Sequence, residues 1–132
     1  MIRALNIVSK ILVGIVAALH TWFLVLEMFL WTKPIGLSTF SMTAEAAEAT
    51  ATLAANQGLY NGFLAAGLLW GLFADKRDVV TFFLSCVIVA GVYGAATASF
   101  SILYIQALPA VIALNLMLIS SAMQKAAGSA QP

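Results

Sequence analysis

Apolar residues run along this chain in four long blocks, separated by short polar or helix-breaking stretches. The blocks cover residues 11–31, 53–73, 79–98 and 102–122. Each has about the 20 residues that a helix needs to cross hydrocarbon. Only helices and closed barrels satisfy their backbone in lipid, and these blocks are too long and continuous for barrel strands. The pattern predicts an all-α membrane protein: an antiparallel four-helix transmembrane bundle forming a single domain over residues 1–132.

The breaks agree with that division. Lys33-Pro34-Ile35-Gly36 is expected to stop the first helix, because Pro and Gly both interrupt it. Thr43 is a candidate N-cap for the second, with Glu45 and Glu48 suiting its positive end. That helix is expected to begin outside the membrane as an Ala-rich extension and to enter it near Leu53. Residues 74–78 read as a charged turn and Ser99-Phe100-Ser101 as a tight one. Pro109 should kink the fourth helix and free a carbonyl one turn earlier. Residues 124–132 read as a frayed tail, and no internal repeat is visible.

Composition narrows the class. The chain is 63% hydrophobic and 8% charged, against roughly 25% charged in a soluble domain. A formal charge of +1 with no basic run excludes a nucleic-acid binder. The single Cys86 excludes a disulfide framework and a multi-cysteine metal site. Arg3, Lys10, Lys76, Arg77 and Lys125, five of the six basic residues, fall on the side shared by both termini, which leaves Lys33 on the other. Positive charge collects in the cytoplasm, so both termini are expected there. The first span is too long and lacks a small-residue cleavage site, so it is expected to stay rather than be removed.

Polar side chains within spans carry the candidate chemistry, because each is costly in lipid unless paired. With this topology, Glu27 lies in the outer half of span one and His20 near its middle. Asn56, Gln57, Tyr60 and Asn61 occupy the outer half of span two, Tyr93 that of span three, and Tyr104 and Gln106 that of span four. Their common depth points to a polar pocket open to the outside. Glu27 reads as an acid/base or anchor, or as a structural partner of Gln57 or Tyr60. Asn61 and Tyr60 read as groups that orient a reacting molecule, with Asn56, Gln57, Tyr93, Tyr104 and Gln106 as ligand contacts. Asn61 and Gln57 have the equal alternative of interhelical glue. His20, expected at the pocket floor, is a ligand contact, a proton carrier or a packing histidine. Trp31 and Trp70 read as interfacial anchors. Stripes of small residues at Gly58, Gly62 and Ala66, and at Ala90, Gly94 and Ala98, allow close helix approach and a homo-oligomer.

The runs Leu26-Glu27-Met28-Phe29-Leu30-Trp31 and Ala54-Ala55-Asn56-Gln57-Gly58-Leu59-Tyr60-Asn61-Gly62-Phe63 resemble the bacterial domain-of-unknown-function family 1304. The resemblance covers nearly the whole chain. It implies a small four-span inner-membrane protein and no particular activity. A second resemblance, to membrane-bound styrene oxide isomerases, rests on Asn61-Gly62, Phe73-Ala74-Asp75-Lys76 and Tyr93. It implies a trimer holding haem b. Those isomerases carry their haem histidine just before the Asn-Gly, where this chain has Asn56 and Gln57, so haem would require His20 as the replacement ligand.

Four readings of function follow. The first is an enzyme or binder for a small apolar or lipid-like molecule, using the outer-half pocket. The others are a haem-dependent isomerase, a small carrier, and a structural or accessory subunit.

Overall fold

The computed structural model describes residues 1–129, all in helices and short turns, with no strand among them. The helices are α1 (Ile2–Phe29), α2 (Pro34–Phe40), α3 (Ala44–Phe73), α4 (Arg77–Thr97) and α5 (Leu108–Ser129), the last entered through a π-helical turn at Leu103–Ala107. Helix α1, helix α4 and the stretch Leu103–Ser129 are each long and apolar enough to cross a membrane. These are the dimensions of a membrane protein.

The second expected span falls within α3, which is 30 residues long but is not among those three. Asn56, Gln57 and Asn61, together with Glu45 and Glu48 in its first turns, lower its mean hydropathy. The residues expected to do chemistry are therefore the ones that blur the span. At the other end, α5 continues to Ser129. The described part of the expected tail is thus helical, and residues 130–132 lie outside the described residues.

Contacts divide the chain into two compact units, one of residues 17–66 and one of residues 1–16 with the residues from 67 onward. In the 17–66 unit, the end of α1 and the start of α3 run antiparallel. Leu24 meets α3 at Gly62, and Glu27 and Met28 meet it at Gly58. A Cβ on Gly58 would lie 3.1 Å from the Met28 backbone nitrogen, so only glycine permits this approach. Between them lies α2, where the sequence pointed to a helix stop. Pro34 does end α1, yet it also occupies the first turn of α2, where a missing N–H costs nothing. Gly36 is buried there, and a side chain on it would run into the Leu30 and Trp31 carbonyls. Ser41 then ends α2 in the left-handed region (φ 51°), its N–H donating to Leu37 O. Thr43 caps α3 as its sequence suggests, its Oγ1 accepting the Ala46 N–H at 3.2 Å.

In the other unit, α4 and α5 pack antiparallel. Val80, Leu84, Val87 and Gly91 bury one face of α4, and Ala110, Ala113, Met117 and Ser120 one face of α5. Their opposite faces expose Phe82, Val89, Ile112 and Ile119, as expected of helices whose outer surface meets lipid. Pro109 cannot donate to the carbonyl four residues back, and its ring crowds that carbonyl. The chain responds with the π-helical turn just before it, where Leu108 N–H reaches Leu103 O. At the far end, the Arg77 guanidinium donates to Ser121 Oγ at 2.8 Å and to Gln124 Oε1 at 2.7 Å. Lys10 pairs with Asp75 at 2.8 Å.

Candidate functional site

The antiparallel pairing of α1 and α3 brings together two polar residues that lie 34 positions apart. Asn61 Nδ2 donates to Glu27 Oε2 at 2.7 Å. Asn61 is buried and Glu27 half-buried. The bond gives each side chain a partner that it would otherwise lack in an apolar setting, where an unpaired polar group costs several kcal/mol (roughly 1–3 by mutational measure).

Glu27 also borders a groove of about 480 Å3. Asn56, Gln57 and Tyr60 supply its other polar edge, and Trp31, Met42, Leu53 and Ala54 its apolar wall, with Ala46 and Thr50 completing it. The wall is braced from behind. Trp31 Nε1 donates to Thr50 Oγ1 at 3.1 Å, and the indole lies against Phe40 of α2 with ring centroids 4.7 Å apart. Thr50 in turn donates to Ala46 O at 2.7 Å. Tyr60 is held edge-on against Phe63 at 5.9 Å. Apolar walls with a few convergent polar groups are the usual composition of a small-molecule site.

The structure thus brings Glu27, Asn56, Gln57 and Tyr60 to one groove and hydrogen-bonds Asn61 to its acid. The remaining expected residues have the following surroundings. His20 is 1% exposed, edge-on to Phe23 at 5.6 Å, and does not border the groove. Tyr93, Tyr104 and Gln106 belong to the other unit. Tyr93 and Tyr104 are exposed, the latter against Phe100, while Gln106 Nε2 reaches Val87 O at 3.4 Å. This Gln, within the π-helical turn, serves the backbone of α4, a use that depth along a helix does not reveal. Conversely, Trp31, Met42 and Thr50 were not expected in a site. Trp31 read as an interfacial anchor, and only the fold of α2 turns it into a wall. Its signal was Pro34, three residues on, which marks a helix start as well as a stop.

A haem would need an imidazole facing a space large enough for a porphyrin. His20 is 1% exposed and lies edge-on to Phe23, so its ring is enclosed by packed side chains and does not fit the group. Nor do the described residues include three His, Cys, Asp or Glu side chains grouped to hold a metal ion. The Asn61-Gly62 pair shared with the isomerases has a local explanation here, Asn61 holding Glu27 and Gly62 admitting Leu24.

The family described as "Protein of unknown function (DUF1304)" matches residues 14–118. The chain belongs to this family. The uncharacterised protein YpaA of Lactococcus lactis subsp. lactis (strain IL1403) is 30% identical to the chain over 114 residues, spanning 83% of this chain and 96% of that protein. No solved structure matches the chain. The DUF1304 match takes in every residue that borders the groove.

Proposed function

We propose that this DUF1304 protein is a four-span bacterial inner-membrane protein, a single domain with both termini in the cytoplasm, that binds a small apolar or lipid-like molecule in the groove beside Glu27. The observation that carries the reading is the half-buried Asn61–Glu27 hydrogen bond at the edge of a groove with a largely apolar wall. An acid at membrane depth is a functional residue by default. One donated hydrogen bond leaves a carboxyl with further capacity to meet a ligand. In this reading Glu27 is the anchor, Tyr60, Asn56 and Gln57 orient the guest, and Asn61 positions the carboxyl. Passage of α3 through the membrane is supported by its apolar second half and by the internal partner of its most buried amide.

The test is to purify the protein and detect what stays bound by native mass spectrometry. Wild type should retain a small apolar or lipid molecule after detergent exchange. Leu53→Trp and Ala46→Trp, both at exposed positions on the groove wall, should fill the groove and lose it while remaining helical by circular dichroism. The same bound species in wild type and both variants would overturn the reading.

A further inference from the structure

We propose that the occupant of this groove is a lipophilic cation: a single positive centre, ammonium or phosphonium in type, on an apolar body. The inference rests on the groove reading above and adds the charge of the guest. Within residues 17–66, the acids are Glu27, Glu45 and Glu48, and Lys33 is the only Lys or Arg. Of these four, Glu27 alone borders the groove, and no Lys, Arg or His lines it. A carboxyl drawn from water keeps its charge only where a compensating charge joins its hydrogen bonds. Asn61 supplies a hydrogen bond to one oxygen but no charge. The missing element is a cation, and the groove's own residues do not provide it.

The two aromatic residues of the wall fit the same guest. The Trp31 indole N–H is already given to Thr50, so what the ring has left to offer is its π surface. Tyr60 is 62% exposed and fixed in place by Phe63. Indole and phenol faces attract cations, more strongly once water is excluded. The remaining wall, Met42, Leu53 and Ala54, suits an apolar body. Other guests leave something unmatched. An anion would face Glu27 with only neutral amides in its favour. A zwitterionic headgroup would bring a phosphate with no basic residue to receive it. A neutral molecule would draw nothing from the acid's charge or from the faces of Trp31 and Tyr60.

The experiment compares tetraphenylphosphonium, its anionic isostere tetraphenylborate and neutral triphenylphosphine oxide, bound to the full chain in phosphatidylcholine nanodiscs, with empty nanodiscs subtracted. Wild type should bind the cation at least about tenfold more tightly than either other probe. Glu27→Gln should lower the cation-to-neutral ratio to the few-fold preference left by the aromatic faces, and Glu27→Asp should restore part of the loss. Tyr60→Leu, at an exposed position and therefore a safeguard against a misfolded Glu27 variant, should lower the ratio a few-fold. Equal binding of cation and neutral probe by wild type, both abolished by Leu53→Trp, would overturn the cation inference and leave the groove reading standing. Cation preference unchanged in both Glu27→Gln and Tyr60→Leu would also overturn it. Failure of every probe to bind would overturn the cation inference, and the groove reading would then stand or fall on the mass spectrometry above.

Discussion

At the scale of single residues, the Asn61–Glu27 bond is the feature on which most depends. Its two ends were visible in the sequence as polar groups at a similar depth of their helices, and helix geometry alone made an encounter reasonable. Which amide would be taken was not visible. Asn56, Gln57 and Asn61 lie within two turns of one helix, and only the rotation of α3 against α1 selects Asn61. Asn61→Leu keeps the number of side-chain heavy atoms and removes the donor, so thermal stability in detergent should fall. In a double-mutant cycle with Glu27→Leu the coupling should be about 1–2 kcal/mol, the upper part of the range for hydrogen bonds between membrane helices. Coupling near zero would mean that water or lipid serves Glu27 equally well. A second residue-scale effect concerns Asp75. The hydrogen bond from Lys10, followed by its charge, holds the Asp75 carboxyl below its ordinary range. A lowered pKa gives stability that is fully present above the ordinary carboxylate value, about 3.9, and is lost as pH falls through the lowered one. Asp75 is in the left-handed region (φ 52°), which Asn tolerates, so Asp75→Asn isolates the charge. Wild type should hold a small, salt-sensitive advantage over Asp75→Asn that is constant from about pH 5 to 8 and disappears in stronger acid. An advantage that grew on acidification would contradict the pairing.

At the scale of elements, the glycines decide how closely helices approach, and the structure ranks them as spacing could not. The stripes read from the sequence named Gly58 and Gly62 on one helix and Gly94 on another. A Cβ at Gly91 would lie 2.9 Å from the Ala107 nitrogen and 3.1 Å from its Cα, both backbone atoms that cannot swing aside. At Gly94, one turn on, the nearest atoms belong to the Ile102 side chain, at 3.2 Å. At Gly62 the neighbour is a Leu24 methyl, the far end of a flexible side chain. Gly91→Ala should therefore destabilise by about 1–3 kcal/mol, the usual cost of overpacking, and Gly94→Ala by clearly less. In the same way Gly58→Ala should cost more than Gly62→Ala. Thermal melts of the four variants check both orders, and a reversal in either pair would mean that the helices separate at no cost. Gly91 escaped the sequence reading because its partner is the π-helical turn. Pro109 announced a distortion there, but not that the widened turn would carry Ala107 against α4.

At the scale of the whole molecule, the legible part was what depends on local pattern: helix type, the Thr43 cap, the position of the turns, and the concentration of basic residues near the two termini and in the second loop. What depends on long-range pairing was not legible. Arg77, counted only as a topological charge, is held by Ser121 and Gln124, and this contact explains why helix continues beyond residue 124. The unresolved choice at this scale is between three crossings and four, because α3 joins an apolar second half to a polar first half. The two arrangements differ in where the chain ends. Both begin with the amino terminus inside and put residue 38 outside after α1. If α3 crosses, residues 74–76 return to the cytoplasm and α4 and α5 bring Ser129 back inside. If it does not, Lys76 and Arg77 start α4 on the outer side, and Ser129 finishes there too. Four crossings keep five of the six basic residues inside, whereas three would strand several of them outside against the usual bias. In a Cys86→Ser background, a membrane-impermeant thiol reagent applied to intact cells should label Ser38→Cys and leave Ser129→Cys unreacted until the membrane is permeabilised. Labelling of both in intact cells would establish three crossings. The groove would then stand on a helix that never enters the bilayer, and Glu27 with Asn61 would meet their ligand at its surface.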